Sequence, residues 1–299
     1  MKDTHALKLL DGRQLGYRIL GNREGLPFFF FHGTPGSRFV ISENDLLAQI
    51  DGLRLIIPER PGYGRSSTLP KRTLLDWAED VQQLADSLGI DKFSVAGVSG
   101  GGPHALACAH ELPNRINTLF LLSSNAPVQI KGATNGMALG NKLGFFLNRY
   151  APGLASWLLN SQAKTAINDL DVFIDALIPQ LAEPDRKQLA KDFVRDAIRK
   201  DIEEAFSQGA DGIIADNRAF SADWGFRVED VRTPTYLWYG MKDTLVTETM
   251  ARYLAEHIPQ CKATFVTNAA HLLTEEPSVV DEIKEILFTK TPIKHTSTE

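Results

Sequence analysis

The chain has 299 residues, 43% hydrophobic and 23% charged, an ordinary globular composition that excludes wholesale disorder. Its 37 acidic and 32 basic residues give a net charge of −5. This balance argues against a nucleic-acid-binding surface, because such a surface needs clustered positive charge to displace counterions.

Targeting and redox signals are weak in this sequence. The first twenty residues contain no basic stretch followed by an apolar core and a cleavage site, so we expect no signal peptide. The longest apolar run, residues 26–31, is far shorter than the ~20 residues that span a bilayer. Cys108 and Cys261 match no metal or redox motif, and we expect both to be buried thiols. Together these features predict a cytoplasmic protein without a membrane span.

Eight short runs bounded by glycine, proline or polar turns predict strands. They cover residues 6–10, 14–20, 27–32, 53–58, 93–98, 116–122, 235–239 and 262–267. Asp11-Gly12 between the first two favours a hairpin, because both residues tolerate positive φ. Continuous apolar runs such as PFFFFH are typical of strands that helices cover on both faces.

Helical periodicity alternates with these strands at residues 73–88, 100–110, 249–257 and 278–288. Between residues 128 and 223 the strand pattern is absent, and helical spacing is clearest over 184–209. The order predicts an α/β fold with a mostly parallel, eight-stranded sheet flanked by helices. We expect residues 1–127 and 224–290 to form the core, 128–223 a helical insertion, and 291–299 a loose tail.

Gly97-Val98-Ser99-Gly100-Gly101 follows a predicted strand and opens a predicted helix. A sharp strand-to-helix turn strains the central residue and exposes its side chain, and the glycines avoid collisions with neighbouring backbone. The motif alone is common, but this context makes Ser99 the candidate nucleophile. A serine hydroxyl at neutral pH needs a base, and the base needs an orienting acid.

Candidate partners for Ser99 are ordered along the chain as acid and then histidine. His271 follows a predicted strand in a loop, whereas His257 lies in a helix and His295 in the polar tail. Asp243 ends the turn after the strand at 235–239, at the same sheet edge as Ser99. Glu248 and Asp223 are alternative acids.

Two further turns follow predicted strands. In His32-Gly33-Thr34-Pro35-Gly36, the backbone amide of Thr34, together with that of Gly100, is the candidate oxyanion donor. We expect His32 to be a buried brace for this loop. The charges of the loop at 59–66 are expected to fix its shape.

The segments HGTPG, ERPGYGRS, GVSGG, GMKD and NAAH occur in the order typical of the α/β-hydrolase superfamily. Over residues 5–125 and 225–288 the chain resembles the esterases, peptidases and lipases of that superfamily, and the insertion corresponds in position to their helical cap. Two departures are Ala269-Ala270 before His271, where many members have glycine, and Glu59, where aspartate is more usual.

The resemblance implies a serine hydrolase that cleaves small to medium, uncharged carboxylic esters through an acyl-enzyme, with no metal or organic cofactor required. Three alternatives stay open. One is an aminopeptidase similar to the proline iminopeptidases, in which Glu203 or Glu204 could bind the α-amino group, although a charged helix face favours a solvated role for both. Another is a cofactor-free perhydrolase, which the sequence does not separate from an esterase. The third is a non-catalytic member that binds a small molecule. The sequence does not predict the oligomeric state.

Apolar residues are frequent in the first part of the insertion, and we expect some of them to line an acyl pocket beneath a helical lid. They are Met137, Leu139, Leu143, Phe145, Phe146, Leu147, Trp157, Leu158 and Leu159.

Overall fold

A computed structural model describes residues 3–290. Its strands are β1 (Thr4–Lys8), β2 (Gln14–Gly21), β3 (Leu26–Phe31), β4 (Leu53–Pro58), β5 (Phe93–Val98), β6 (Ile116–Leu122), β7 (Thr235–Gly240) and β8 (Cys261–Val266). Its α-helices are α1 (Asp76–Ser87), α2 (Gly101–Glu111), α3 (Leu139–Tyr150), α4 (Pro152–Asn168), α5 (Leu170–Leu177), α6 (Glu183–Leu189), α7 (Asp192–Ala205), α8 (Asp211–Ser221), α9 (Glu248–His257) and α10 (Pro277–Lys290). The predicted tail, including His295, lies outside the described residues.

The strands form one sheet in the order β1-β2-β4-β3-β5-β6-β7-β8. β2 is antiparallel to β1 and β4, whereas all pairs from β4 to β8 are parallel. The predicted α/β fold with a mostly parallel, eight-stranded sheet is therefore confirmed. Because parallel strands end at one edge, the turns after β3, β5, β7 and β8 lie along the same side of the molecule.

The N-terminal hairpin differs from the prediction at its first strand. β1 ends at Lys8, not at residue 10, because the amide of Leu9 donates to the carbonyl of Arg13 (2.8 Å) and closes the turn there. Leu10 consequently lies in the turn and is 91% exposed. Gly12 has φ +87°, the left-handed conformation that glycine adopts readily in a hairpin turn.

The sheet separates two apolar clusters. Phe29 and Phe31 pack with α1 and α2 on one face, and Phe28 and Phe30 pack with α10 on the other. All four rings are fully buried. This alternation follows from the two-residue period of a strand, and it explains why a doubly covered strand has a continuous apolar sequence.

Helices α3–α8, which we call the insertion, lie between β6 and β7. The helical pattern at 184–209 predicts one continuous stretch, but the structure divides it into α6 and α7. Lys191 has φ −80° and ψ 126°, an extended conformation that ends the helical path. No glycine or proline marks this break, and the apolar periodicity continues across it. The sequence therefore gives no sign that the helix is divided.

The nine apolar residues singled out between Met137 and Leu159 differ widely in burial. Four of the nine are exposed: Leu139 (81%), Leu143 (51%), Phe146 (57%) and Trp157 (65%). Met137 is buried, and Phe145 packs against the cluster that contains α1 and α2. Only part of this apolar surface therefore faces the protein interior.

The two cysteines are free thiols that differ in burial. Cys108 is a buried free thiol as expected, whereas Cys261, on the edge strand β8, is only half-buried. Burial raises the pKa of both thiols, to about 11 for Cys261. Within residues 3–290, no helix has the length and apolar character needed to cross a membrane.

Candidate active site

Ser99 lies on the sharp turn between β5 and α2, at the carboxyl edge of the sheet. Its φ is +53°, a left-handed conformation that is uncommon for residues other than glycine. The turn is tight, since a side chain at Gly97 would collide with the backbone of Gly101. The Ser99 amide donates to the carbonyl of Leu122 (3.0 Å), which fixes the turn to β6. This is the geometry of a nucleophile elbow.

The loop after β3 packs directly against this turn. A side chain on Gly100 would collide with that of Thr34, and a Cβ on Gly33 would lie 3.6 Å from the Cβ of Ser99. Among the described residues, no acceptor takes the backbone N–H of Thr34 or of Gly100. Two unpaired amides beside a serine hydroxyl match the donor set of an oxyanion hole.

Asp243 and His271 face each other beyond the ends of β7 and β8, and both are buried. Oδ2 of Asp243 accepts the Nδ1–H of His271 at 2.8 Å. Its Oδ1 accepts the amides of Leu245 (2.8 Å) and Val246 (3.0 Å), which hold the carboxylate in place. An imidazole that donates from Nδ1 keeps its acceptor lone pair on Nε2, as a general base requires.

The electrostatic surroundings favour protonation of His271. Burial by itself lowers the pKa of the imidazole, but the charge and hydrogen bond of Asp243 and the charge of Asp185 outweigh burial. The pKa of His271 is therefore above its ordinary value. A raised pKa makes the imidazole a stronger base. It also means that, as the pH falls, the ring becomes protonated at a higher pH than an ordinary histidine.

The structure joins the predicted residues into two groups. Ser99 lies beside Thr34 and Gly100, and Asp243 is hydrogen-bonded to His271. Within residues 3–290, no hydrogen bond connects the Ser99 hydroxyl to the His271 ring.

The alternative acids occupy other positions. Glu248 pairs with Arg252 on the surface of α9 at 2.5 Å. Asp223 accepts the amide of Gly225 at 2.9 Å in an exposed turn. Of the three candidate acids, Asp243 is the one that contacts His271.

Asp216, on α8 of the insertion, was not singled out by sequence reasoning. Its fully buried carboxylate accepts hydrogen bonds from Thr34 Oγ1 (2.7 Å) and the Tyr63 hydroxyl (2.8 Å). It also pairs with Arg60 (2.7 Å) and Arg72 (2.5 Å), which are buried as well. No local motif indicates this role, because the partners lie more than 140 positions away in the sequence.

The charge of Asp216 is stabilised by its two arginines. Burial alone would raise its pKa, but Arg60 and Arg72 hold the pKa of the carboxyl well below its ordinary value. His104, which lies 3.6 Å from Asp216, has a pKa well below its usual range because it is buried beside the same arginines. The cluster thus contains an ionised aspartate, two guanidinium groups and a neutral histidine.

His32 and the loop at 59–66 hold the turn that carries Thr34. The ring of His32 is buried, donates from Nδ1 to the carbonyl of Gly33 (2.9 Å) and accepts the amide of Arg60 at Nε2 (3.2 Å). The Arg60 guanidinium donates to the carbonyls of His32 (2.6 Å) and Gly33 (2.7 Å). The predicted bracing role of His32 is confirmed, and Glu59 fixes its own loop as predicted, because its Oε2 accepts the amide of Arg65 at 2.8 Å.

Glu59 and Glu204 share one buried cation. Arg38 Nη1 lies 2.6 Å from Glu59 and 2.5 Å from Glu204, which α7 of the insertion contributes. Glu203 is exposed. Of these two acids, Glu203 thus has the solvated position that a charged helix face favours, whereas Glu204 is paired with Arg38.

The candidate site contains no cluster of potential metal ligands among the described residues. Among residues 3–290, no three His, Cys, Asp or Glu side chains are grouped as ligands of one metal ion. The residues of the candidate site belong to hydroxyl, imidazole, carboxylate and amide classes, the groups that acyl transfer uses.

Comparison with known proteins agrees with this geometry. Residues 27–277 match the family model described as alpha/beta hydrolase fold. An uncharacterized hydrolase, YcgS, from Bacillus subtilis is 25% identical over 88% of this chain and 90% of its own length. 3-Oxoadipate enol-lactonase 1 from Acinetobacter baylyi is 23% identical over 91% and 92%. A proline iminopeptidase from Xylella fastidiosa is 33% identical, but over only 37% of this chain and 36% of its own.

Solved structures show the same architecture. A thermophilic esterase from Thermogutta terrifontis superimposes with a TM-score of 0.65 at 22% identity, over 95% of this chain and 97% of its own. The esterase RhEst1 from Rhodococcus sp. gives 0.68 at 19% identity, over 97% and 100%. The match of the family model to most of the chain, with the sheet order and the elbow at Ser99, establishes that this chain belongs to the α/β hydrolase fold family.

Proposed function

We propose that the protein is a serine hydrolase that cleaves carboxylic esters of small to medium size. Ser99 is the nucleophile, His271 the general base and Asp243 the acid that orients it. The amides of Thr34 and Gly100 form the oxyanion hole. The observation that carries the proposal is the strained Ser99 turn, packed against two unpaired amides, at the sheet edge where Asp243 holds His271.

The chemistry follows from these roles. Ser99 Oγ attacks the ester carbonyl while His271 Nε2 takes its proton, and the carbonyl oxygen becomes an oxyanion that the two amides stabilise. Collapse expels the alcohol, protonated by His271, and leaves an acyl-serine. Water activated by the same imidazole then releases the acid and regenerates Ser99. Asp243 stabilises the imidazolium in both halves without being protonated itself.

The division into domains is part of the same proposal. Residues 1–127 and 224–290 form the hydrolase core, and residues 128–223 form a helical cap. Its support is the position of α3–α8 between β6 and β7, the contact of Asp216 with Thr34 beside the Ser99 turn, and the pairing of Glu204 with Arg38 of the core. A cap at that place would limit the size of the acyl or alcohol group that reaches the serine.

An ester substrate is favoured over an aminoacyl substrate. The enol-lactonase matches over nine-tenths of its length, whereas the proline iminopeptidase matches over about a third. Glu204, a candidate for the α-amino group, is occupied by Arg38. A non-catalytic binding protein would have no chemical need for the two unpaired amides.

The test is turnover of a panel of p-nitrophenyl esters and aminoacyl p-nitroanilides, with labelling by a fluorophosphonate probe. We expect ester hydrolysis and one labelled serine. Ser99→Ala should abolish labelling and lower kcat by about 10⁶. Ser123→Ala is a matched control, because Ser123 also has a left-handed φ (+43°) directly after a strand, β6, but is fully buried.

Each competing function gives a different result. Preferential turnover of the aminoacyl substrates would favour an aminopeptidase. A wild-type protein that binds esters without turnover or labelling would favour the non-catalytic alternative. Labelling that survives in Ser99→Ala but not in Ser123→Ala would overturn the assignment of the nucleophile.

A further inference from the structure

Asp185 connects the insertion to the loop that carries His271. It lies in the first turn of α6 and is 1% exposed. Its Oδ2 accepts the backbone N–H of His271 at 3.1 Å, and its Oδ1 accepts that of Leu272 at 2.9 Å. One carboxylate therefore binds two consecutive amides across 86 positions of sequence.

Loss of the hydrogen bonds from Asp185 to these two amides would cost free energy. Buried backbone N–H groups require acceptors, and Asp185 satisfies two of them at the residue whose ring must reach Ser99. Burial raises the pKa of the Asp185 carboxyl above its ordinary value, although the two amides and His271 oppose this effect. At pH values where the carboxyl is ionised, its hydrogen bonds from amides are stronger than those to a neutral acceptor. Asp243 holds the ring of His271 through Nδ1, and Asp185 holds its backbone.

We propose that Asp185 is a positioning residue for His271: its carboxylate fixes the backbone of the histidine loop, so that the imidazole faces Ser99 only while α6 is seated against the core. This inference rests on the proposed function and names a group supplied by the insertion. Asp185 touches neither the reacting atoms nor the ring nitrogens; it acts through the backbone of residues 271 and 272.

The charge of Asp185 gives a second, separable signature. The charged groups that act on the His271 ring are Asp243, from the turn after β7, and Asp185, from α6, and both raise the pKa of the imidazole against the effect of burial. Removal of one anion makes the imidazolium less stable. The acid limb of the pH profile of kcat/KM should then move to lower pH, which a purely structural contact would not cause.

Three variants test the inference. Asp185→Ala removes both acceptors, and Asp185→Asn removes the charge but keeps one carbonyl oxygen. Asp192→Asn is the matched control, because Asp192 also lies in the first turn of an insertion helix, α7, but is exposed. Each is measured for amide hydrogen exchange of the segment 267–276 and for kcat, KM and the pH profile on p-nitrophenyl esters.

We expect faster exchange at residues 271 and 272 in Asp185→Ala, with kcat lowered about 10- to 100-fold and KM little changed, since a misplacement of ~1 Å costs about 100-fold. Asp185→Asn should retain more kcat and show the shifted acid limb, and Asp192→Asn should show neither effect.

Unchanged exchange in Asp185→Ala would overturn the inference. So would faster exchange with unaltered kcat and pH profile. If Asp185→Ala does not fold, the inference is tested with Asp185→Asn, from the acid limb of its kcat/KM profile and from its amide hydrogen exchange at residues 271 and 272. A wild-type protein that hydrolyses no ester would count against the proposed function alone, because the exchange measurement still shows whether Asp185 holds the histidine loop.

Discussion

The sheet and the insertion both bury apolar side chains, but the insertion adds buried carboxylates at its contacts with the core loops. At the centre of the sheet, β3 buries four phenylalanine rings completely. The insertion instead contacts the core loops through buried carboxylates on three helices, Asp185 on α6, Asp201 on α7 and Asp216 on α8, and leaves Leu139 and Trp157 exposed. Apolar burial is non-directional, whereas a hydrogen bond to a carboxylate weakens steeply away from its preferred distance and angle. The sheet is thus held mainly by apolar packing, whereas the insertion is also joined to the core loops by directional hydrogen bonds and ion pairs.

The sharpest test of the sheet edge is Asp243→Asn. The amide favours the wrong tautomer of His271, so we expect kcat to fall about 10⁴-fold, by analogy with the same substitution in a serine protease. Steady-state kinetics on the preferred ester measure the loss. Glu248→Gln is the control, because Glu248 pairs with Arg252 at the surface and contacts neither Asp243 nor His271. It should leave kcat near the wild-type value. A reversed pattern would move the orienting acid to Glu248.

For the insertion, Asp216→Asn should have the largest effect on stability. The substitution leaves Arg60 and Arg72 as buried cations without their counter-charge, and breaking such a pair costs about 3–5 kcal/mol. Asp171→Asn is the control, because Asp171 pairs with Arg199 at the surface, where the loss is at most ~1 kcal/mol. Urea unfolding at fixed pH compares the two. Similar losses would mean that the buried cluster contributes no more than a surface ion pair.

The two regions also differ in how well the sequence predicts them. The signals of the sheet and of its edge are local: apolar runs bounded by turn residues, and glycines beside Ser99. They are sufficient to predict all eight strands, to within two residues at β1, and the turns that carry Thr34, Asp243 and His271. Short-range physics determines these features, so a single sequence contains them.

Asp185 and Asp216 have no comparable signal. Each is an ordinary acidic residue on a helix, and its importance depends on partners more than 80 positions away. Similarly, the break at Lys191 has no breaker residue, and Phe146 is exposed although its neighbour Phe145 packs against the core cluster. Long-range packing decides such features, and periodicity alone describes only the helix on which they occur.

A smaller effect is expected from pH at the contact between α7 and the core. Asp201 Oδ1 accepts the amide and the hydroxyl of Ser37, both at 2.7 Å, and burial raises the pKa of this carboxyl to about 7. The folded state therefore binds a proton that the unfolded state, with a pKa of about 3.9, releases. Between these two values the free energy of unfolding decreases as pH rises, by at most about 1.4 kcal/mol per pH unit.

Asp201→Asn imitates the protonated form at every pH and isolates this contribution. We expect the variant to gain stability relative to wild type as pH rises from 5 to 7, and the difference to level off above pH 7. Thermal unfolding at several pH values measures it. A difference that is constant across this range would show that Asp201 is ionised throughout and that the contact does not titrate.

The smallest effects should come from the apolar residues that the insertion exposes. Phe146→Ala and Trp157→Ala remove rings that are 57% and 65% exposed, and we expect the free energy of unfolding to change by about 0.5 kcal/mol or less. Phe145→Ala removes a ring packed against the core cluster and should lower the free energy of unfolding by more.

The same three variants also test substrate specificity. An acyl pocket gains ~0.8 kcal/mol per buried methylene, so kcat/KM should rise severalfold per added carbon until the pocket is filled. If the inner surface of the insertion determines which acyl chain length is preferred, only Phe145→Ala should change that preferred chain length. Equal shifts from all three variants would mean that α3 and α4 turn their exposed faces toward the substrate during the reaction.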